Sequence, residues 1–202
     1  VMASVIENNP KTGITFHLLS CDLSDTNKEY IRQWISLIEG VKVYFYNVDS
    51  HVFDNFPIGN AYLNIGAYFR LYLAECLKDI EKVLYLDSDI LVLDDIVHLY
   101  DQPLNGKTIG AVIDPGQTKA LKRLGIESDA YYFNSGVMVI DIDRWNEKMI
   151  TEKTINYLKE NGDRIIYHDQ DALNAVLYED WEQLEPKWNM QTSLIFERHP
   201  AP

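Results

Sequence analysis

The chain has 202 residues, of which 47% are hydrophobic and 24% are charged, proportions typical of one globular domain with a sizeable core. This composition excludes intrinsic disorder and a collagen-like repeat. The 31 acidic and 18 basic side chains give a formal net charge of −13, which argues against general binding to nucleic acid or anionic lipid. A phosphorylated ligand would need local positive charge, from a few placed basic residues or from a metal ion.

The sequence contains two cysteines, Cys21 and Cys76, and no C-x-x-C pair. A disulfide framework and a structural zinc site are therefore not expected, and a reducing compartment is favoured. No signal-peptide pattern opens the chain, and no run of about 18 apolar residues could span a bilayer. We expect a cytoplasmic protein without a transmembrane segment, either free or peripheral to the membrane.

The hydrophobic pattern predicts strands and helices in alternation. In chain order it predicts the end of a helix over 1–8, a strand over 14–19, a helix over 25–39, a strand over 41–48 and a helix over 66–78. An apolar run over 82–93, cut by two aspartates, then precedes strands over 108–113 and 132–142 and helices over 147–160 and 170–178.

This alternation predicts an α/β fold, with a single Rossmann-like, mainly parallel sheet covered by helices on both faces. No linker, internal repeat or low-complexity stretch interrupts the pattern, so residues 1–202 are predicted to form one domain. The helix at residue 1 begins without a capping residue, which suggests an earlier strand outside this sequence.

Asp87 and Asp89 follow an apolar run, residues 83–86, that is typical of a strand buried on both faces. In such sheets the ligand crevice lies beyond the carboxyl ends of the strands. If the chain stays extended, residues i and i+2 point to the same side, so the two carboxylates converge and need a cation between them. Oxygen ligands suit Mg²⁺ and Mn²⁺, which often share them with a substrate diphosphate.

Two other interpretations of this aspartate pair stay open. One is a polar turn at the end of a strand, where aspartate is common. The other is a phosphatase of the haloacid dehalogenase type, in which the first aspartate is a nucleophile. That type normally continues with Gly-Thr, whereas Ile90 and Leu91 follow here.

Three further segments are candidates for the same crevice. The small pair Ser135–Gly136 lets a ligand approach the backbone and the amide of Asn134 suits sugar hydroxyls, although a β-bulge explains the same residues. The segment His168–Asp171 either caps the helix that follows it or reaches the crevice with its polar side chains. Arg70 lies in an apolar helix segment, where it either packs along its stem at the surface or binds a phosphate or carboxylate.

Taken together, these motifs resemble those of the family 8 glycosyltransferases, which are retaining, sugar-nucleotide-dependent enzymes that include lipopolysaccharide galactosyl- and glucosyltransferases. The most specific match is the segment Lys82–Asp89, which carries the D-x-D motif. The order and approximate spacing of other segments agree along almost the whole chain, at residues 3–9, 15–17, 68–71, 133–137, 168–174 and 186–189.

The resemblance implies a GT-A fold and a hexosyltransferase that uses UDP-glucose or UDP-galactose, with a glycan or lipid-linked sugar such as lipopolysaccharide as acceptor. It implies that Asp87 and Asp89 hold Mn²⁺ or Mg²⁺ against the diphosphate, which would also offset the negative net charge. The donor-binding residues are then Arg70, Asp87, Ser88, Asn134, Ser135 and Gly136. Asp114 is the expected acceptor contact, and a turn-starting aspartate before proline explains it equally well.

Gln170 and Asp169 are the catalytic residues that the resemblance implies. The transition state should resemble an oxocarbenium ion, and retention normally needs a carboxylate nucleophile. Gln170 stands at the family's candidate position, and its amide is a poor nucleophile. Front-face attack by the acceptor, with a phosphate oxygen as base, is therefore favoured, and Asp169 is the second candidate nucleophile. A non-catalytic sugar-nucleotide binder is the remaining alternative.

The chain departs from the family pattern at both ends. The family begins with a short strand that contacts the nucleotide base, and a C-terminal segment supplies a histidine as third metal ligand. His199 lacks the pattern of that segment. We therefore expect the first strand and the C-terminal segment of the family to lie outside residues 1–202.

Overall fold

A computed structural model describes residues 1–53, 56 and 65–191 of the chain. The strands are β1 (Ile14–Ser20), β2 (Val41–Asn47), β3 (Lys82–Leu86), β4 (Ile109–Ile113), β5 (Phe133–Asp141) and β6 (Trp181–Gln183). The α-helices are α1 (Met2–Asn8), α2 (Asp25–Ser36), α3 (Leu73–Cys76), α4 (Val97–Tyr100), α5 (Ala120–Arg123), α6 (Ile142–Glu147), α7 (Ile150–Glu160) and α8 (His168–Leu177). Short 3-10 helices cover Ser50–Phe53, Ile65–Tyr72, Gly162–Arg164 and Pro186–Trp188.

The observed elements differ from the predicted ones at several points. The helix expected over 66–78 is a 3-10 helix followed by the single turn α3, because four consecutive residues, Tyr68–Leu71, are all buried and packing on every side sets the backbone. The helix expected over 147–160 begins at residue 150 as α7, and Met149, whose φ is 54°, separates it from α6, which was not predicted. The apolar run over 82–93 forms a strand only as far as Leu86, which agrees with the predicted strand end before Asp87, and β6 has no counterpart in the prediction.

The described strands form two sheets rather than the single, mainly parallel sheet that was expected. β1 and β2 pair in parallel, from Ile14 opposite Val41 to Ser20 opposite Asn47. The second sheet has the order β3-β5-β4-β6 and is mixed, because β5 runs antiparallel to both β3 and β4, whereas β4 and β6 are parallel. The chain between β4 and β5 contains only the one-turn helix α5, so it returns as an antiparallel neighbour instead of crossing over.

The core surrounds β5. Residues 137–140 of this strand are at most 2% exposed, and the neighbouring Trp145 is fully buried. Packing of α6, α7 and α8 on one side of the sheet completes the main cluster. Among the described helices, none is long and apolar enough to cross a bilayer. β5 therefore serves as the rigid central strand on which the candidate site is built.

The antiparallel pairing of β3 and β5 brings the carboxyl end of one to the amino end of the other. Leu86 lies opposite Val137, and the next backbone N–H, that of Asp87, donates to the carbonyl oxygen of Gly136 at 2.9 Å. A cavity of about 1130 Å³ lined by residues of both β1 and β3 opens beside this end of β3. The predicted polar segments of β3 and β5 consequently meet at one end of the sheet, where β3 ends and β5 begins.

Candidate active site

Arg70 lies at the centre of the candidate site and is only 8% exposed. Its Nη2 donates a hydrogen bond to Asp87 Oδ1 at 2.9 Å, and its Nη1 donates to the carbonyl oxygen of Ser135 at 2.7 Å. Its Nε lies 2.8 Å from Asp169 Oδ2 and donates to the carbonyl oxygen of Ala67. The guanidinium therefore joins two carboxylates to the start of β5, and the interpretation of this arginine as a surface side chain is wrong.

Asp87 follows β3 directly and opens a turn. Its Oδ1 accepts hydrogen bonds from Arg70 and from the hydroxyl of Tyr85 at 2.8 Å, and the ring of Tyr85 lies 4.6 Å from the Arg70 guanidinium. The N–H of Ile90 donates to the Asp87 carbonyl oxygen at 3.3 Å, which closes the turn. The expectation of an extended chain from Asp87 to Asp89 is thus wrong. The backbone forms a turn, as the alternative interpretation of this aspartate pair predicted.

The turn still places both aspartates at one cavity. Asp87 and Asp89 line a space of about 410 Å³ together with Asn134, Gly136 and Asn189. Asp87 keeps 33% of its side chain exposed, and Asp89 is an exposed residue. The structure therefore brings the two predicted metal ligands together by a turn instead of by strand alternation.

Ser88 is exposed at the middle of the same turn and lines the larger cavity beside β1 and β3. Arg70 and both aspartates line the same cavity. Its expected contact with the donor ribose stays a prediction.

A β-bulge in β5 aims three of the predicted donor-binding residues at this cluster. Ala111 of β4 pairs with Met138, whereas the next residue, Val112, pairs with Asn134, so the register shifts over residues 135–137. The interpretation of this segment as a β-bulge is therefore confirmed, and the bulge redirects its polar groups, whereas its contact with a sugar stays a prediction. The side chain of Asn134 accepts a hydrogen bond from the N–H of Gly136 at 2.9 Å and another from Asn189 at 2.8 Å.

Gly136 is required here by close approach. A Cβ at this position would lie 2.9 Å from Asp87 Oδ2 and 3.0 Å from Asn134 Oδ1. Contacts that short are not found for real side chains, so any larger residue would displace the aspartate or the asparagine. The glycine therefore keeps open the wall of the cavity that Asp87 and Asp89 share.

Gln170 is held at both ends of its carboxamide. Its Oε1 accepts from the backbone N–H of Ser135 at 3.0 Å, and its Nε2 donates to Asp114 Oδ2 at 3.2 Å. Asp114 also accepts from the N–H of Gly116 at 3.0 Å. Burial raises the pKa of Asp114, while the hydrogen bonds from Gly116, Gln170 and Asn134 oppose that rise. The predicted catalytic amide and the predicted acceptor contact are thus direct neighbours.

Asp169 is 4% exposed and lies against the guanidinium of Arg70. The contact is ionic and not an aligned hydrogen bond, since Asp169 Oδ2 has no hydrogen-bond donor among the described residues. Burial raises the pKa of Asp169 to about 6, although the positive charge of Arg70 opposes this and the negative charge of Asp87 adds to it. The structure therefore provides a carboxylate that titrates near neutrality within the candidate site.

Asp171 was not predicted as a site residue, and in the structure its carboxylate is hydrogen-bonded to other parts of the protein. Its carboxylate is fully buried and accepts hydrogen bonds from both Nη atoms of Arg123 and from the hydroxyl of Tyr132. It also accepts from the backbone N–H groups of Ile166 and Tyr167, just before α8. Burial would raise the pKa of Asp171, but these hydrogen bonds outweigh it and lower the pKa. The carboxylate is ionised and has no access to a substrate.

Two further residues shape the site without having been singled out as site residues. Asn189 is 7% exposed and donates to Asn134, and the only sequence signal for it was its place in the segment 186–189. Tyr85 stands two residues before Asp87, so strand alternation could have indicated that its hydroxyl reaches the aspartate.

The donor chemistry of the smaller cavity fits a hard divalent cation. Its lining offers two carboxylates and the amide groups of two asparagines, and oxygen is the ligand atom that Mg²⁺ and Mn²⁺ prefer. Within the part of the chain that the structure describes, no group of three or more His, Cys, Asp or Glu side chains could hold a metal. Such ions often complete their coordination with water and substrate phosphate, so two protein carboxylates suffice for a shared site. His199, which the sequence analysis set aside, lies outside the described residues.

Comparison with known proteins points to one family. The sequence profile described as Glycosyl transferase family 8 matches residues 1–200. General stress protein A of Bacillus subtilis (strain 168) is 36% identical over 186 residues, covering 90% of this chain and 64% of that protein. The lipopolysaccharide 1,3-galactosyltransferase of Salmonella typhimurium is 30% identical over 206 residues, covering 97% of this chain and 60% of that protein. The chain thus spans less than two thirds of the length of these curated relatives.

Solved structures agree with the sequence match. The crystal structure of galactosyltransferase LgtC, in complex with donor and acceptor sugar analogs, superposes with a TM-score of 0.86 at 29% identity and covers all of this chain and 74% of that one. This similarity confirms the predicted α/β class and GT-A type of fold, with one parallel and one mixed sheet among the described strands in place of one mainly parallel sheet. With a profile match that runs over almost every residue, the chain belongs to glycosyl transferase family 8.

Proposed function

We propose that this chain is the catalytic domain of a metal-dependent, retaining hexosyltransferase that moves glucose or galactose from a UDP-sugar to a glycan or lipid-linked acceptor such as lipopolysaccharide. The observation that carries the proposal is the single cluster around Arg70, which joins the D-x-D turn, the bulge of β5 and the start of α8. Relatives that are lipopolysaccharide galactosyl- and glucosyltransferases, and the LgtC complex with donor and acceptor sugar analogs, support the choice of substrates.

The donor diphosphate is assigned to the cavity of Asp87 and Asp89. These two carboxylates would hold Mn²⁺ or Mg²⁺, which when bound supplies positive charge to stabilise the departing UDP. Arg70 keeps Asp87 in place through a charge-assisted hydrogen bond to Oδ1, which leaves Oδ2 directed toward Gly136 and the cavity. Ser88, at the turn, is assigned to the ribose.

The donor sugar is assigned to the space beside Asn134, Ser135 and Gln170. The carboxamide of Gln170 cannot rotate freely, because Ser135 and Asp114 fix its two ends. An amide oxygen held in this way can orient a sugar or stabilise positive charge at the anomeric carbon, but it is a poor nucleophile. We therefore favour front-face attack by the acceptor hydroxyl, with Asp114 beside Gln170 as the acceptor contact and Asp169 as the second candidate nucleophile.

Family membership rules against the haloacid dehalogenase-type phosphatase, which was the main competing enzyme. A non-catalytic sugar-nucleotide binder would have the same cavity and is separated from a transferase only by turnover. A cytoplasmic location, free or at the membrane surface, also remains part of the proposal and is supported by the free thiols of Cys21 and Cys76.

The test is the metal dependence of UDP binding and of donor turnover. Titration calorimetry with UDP should give tight binding in Mn²⁺ and at least about tenfold weaker binding in excess chelator, because the diphosphate then meets two uncompensated carboxylates. Asp89→Asn removes one charged ligand and should weaken binding of Mn²⁺ by at least about tenfold. UDP release from UDP-glucose and UDP-galactose, with and without glycan acceptors, measures turnover, and proton NMR of the product reports its anomeric configuration.

Asp163→Asn is the matched control, because it removes an exposed carboxylate from the 3-10 helix Gly162–Arg164, away from this cavity. Equal affinity for UDP with and without metal would contradict the assignment of the aspartates. Binding of UDP with metal, but no release of UDP from either donor, would favour the non-catalytic binder. An inverted product would contradict retention.

A further inference from the structure

The carboxylate of Asp171, next to Gln170 in sequence, makes hydrogen bonds to three separate segments of the chain. Each of its oxygens accepts from one Nη atom of Arg123, at 2.7 and 2.8 Å. Oδ1 also accepts from the Tyr132 hydroxyl at 2.7 Å, and Oδ2 from the N–H groups of Ile166 and Tyr167 at 2.7 and 2.8 Å. Arg123 ends α5, Tyr132 immediately precedes β5, and residues 166–167 lead into α8.

The start of α8 needs such support, because its local backbone does not stabilise itself. His168, the first helical residue, has a φ of 48°, a left-handed conformation that is strained for a non-glycine residue. Tyr167, at the N-cap, makes no side-chain capping hydrogen bond. The carboxylate of Asp171, in the first turn of α8, accepts hydrogen bonds from the N–H groups of Ile166 and Tyr167 before the helix. It therefore stabilises the start of the helix in place of a side-chain cap.

The segment around Arg123 is itself fixed. Its Nη1 also donates to the carbonyl oxygen of Arg164. Gly125, two residues later, has a φ of 80°, and a Cβ there would collide with the guanidinium of Arg164. Arg123 keeps 24% of its side chain exposed and so covers Asp171 from the solvent side. The planar fork of its guanidinium matches the carboxylate, which an ammonium group could not do.

We propose that Arg123 and Tyr132 are positioning residues, which hold the carboxylate of Asp171 and thereby keep the carboxamide of Gln170 on Ser135 and Asp114. Gln170 adjoins Asp171 in the first turn of α8, so a shift of that turn moves its side chain directly. A displacement of about 1 Å in a catalytic group can cost about 100-fold in rate. Arg123 has no direct role toward the donor and acts only through Asp171. The kinetic part of this inference rests on the proposed hexosyltransferase function.

Two variants test this arrangement. Arg123→Lys keeps the charge but cannot make two parallel hydrogen bonds to Asp171, and it also gives up the Nη1 hydrogen bond to the Arg164 carbonyl oxygen. Tyr132→Phe deletes one donor to Asp171 together with the interaction of the same hydroxyl with Gln170. Arg144→Lys, in an exposed ion pair with Asp141, and Tyr30→Phe, on an exposed part of α2, are the matched controls. Far-UV circular dichroism establishes that each protein is folded, and Tyr132→Phe, the milder change, decides the outcome where Arg123→Lys does not fold.

The first readout does not depend on activity. The side-chain amide cross-peaks of Gln170 in a nitrogen–proton NMR spectrum, identified by their loss in Gln170→Ala, should shift in Arg123→Lys and Tyr132→Phe and stay in place in the two controls. Unmoved Gln170 cross-peaks in the folded variants would overturn the proposal, whatever the enzyme transfers.

The second readout is the split between kcat and KM. We expect kcat to fall by about tenfold or more in Arg123→Lys and by a few-fold in Tyr132→Phe, with the donor KM and the affinity for UDP with Mn²⁺ within about twofold of wild type. Moved cross-peaks with unchanged kcat, or parallel losses of kcat and UDP affinity, would overturn the positioning role. A wild-type protein that turns over no donor would instead refute the proposed function, and the NMR result would stand on its own.

Discussion

Asp169 and Asp87 both contact the guanidinium of Arg70, yet the two carboxyl groups have different surroundings. Asp87 keeps a third of its side chain exposed and its Oδ1 accepts two hydrogen bonds, whereas Asp169 is buried and its Oδ2 makes an ionic contact with Arg70 without an aligned hydrogen bond. Burial therefore raises the pKa of Asp169 to about 6. Identical side chains thus acquire different proton affinities from their burial and their donors.

This shift predicts how stability depends on pH. Because the folded pKa lies above the ordinary value of 3.8, folding takes up a proton between these values. The contribution of Asp169 to stability is complete below about pH 4 and is lost as pH rises through about 6. Relative to wild type, Asp169→Asn should therefore gain about 1–2 kcal/mol in free energy of unfolding between pH 5 and pH 7.5.

Urea unfolding at the two pH values measures this difference. The exposed Asp163→Asn should show no such change between pH 5 and 7.5, since its carboxylate lies in solvent in both states. A stability difference for Asp169→Asn that is the same at both pH values would contradict the raised pKa.

At the scale of elements, α8 and β5 form one unit through the side chain of Asn174. This residue is fully buried; its Oδ1 accepts from the N–H of Phe133 at 2.7 Å, and its Nδ2 donates to the Phe133 carbonyl oxygen at 2.8 Å. Nδ2 also donates to the carbonyl oxygen of Gln170 at 2.9 Å. The beginning of β5, where the bulge carries Ser135 and Gly136, is therefore fixed to the helix that carries Asp169 and Gln170.

Asn174→Ala should lower the free energy of unfolding by about 2–4 kcal/mol, because it leaves the buried N–H and carbonyl groups of Phe133 without partners. Chemical denaturation measures the loss. Asn156→Ala, on the exposed side of α7, is the control and should change stability by less than about 0.5 kcal/mol. Equal stabilities of the two variants would show that this clamp is not needed in solution.

At the scale of the whole molecule, the strands differ in the number of neighbouring strands with which they pair. β5 pairs on both sides with β3 and β4, whereas β1 pairs with β2 and β3 pairs with β5 on one side each, among the described strands. The other edges of β1 and β3 line the larger cavity. Backbone groups at such edges are more open to water than those of the core.

Hydrogen exchange should reflect this arrangement. The amides of residues 137–140 should exchange slowest, at least about 100-fold more slowly than the β1 amides that point away from β2. Alternate residues of β1 supply an internal control, because every second amide points toward β2 and should be protected. Uniform, β5-like protection along β1 would show that its outer edge is paired in solution.

The α/β class, most helix and strand positions and the identity of the polar segments that meet at the site could be predicted from the amino-acid sequence. The period of the hydrophobic pattern and the length of each apolar run specify helices and strands locally. The apolar run that ends at Leu86 therefore predicted that Asp87 directly follows a strand. Short polar segments such as 133–137 and 168–174 were recognisable because their residue types and spacing resemble a known pattern. That resemblance also indicated which of their side chains to expect at a donor site.

How those segments are joined depends on packing and pairing in three dimensions. Strand direction depends on which surfaces bury each other, so the antiparallel β5 and the mixed second sheet could not be taken from alternation alone. The hydrogen bonds of Arg70 to Asp87 and Ser135, and those of Asp171 with Arg123 and Tyr132, join residues 17 to 65 positions apart along the chain. Long-range hydrogen bonding and desolvation therefore fixed which carboxylates stay open to a ligand and which are enclosed by the protein.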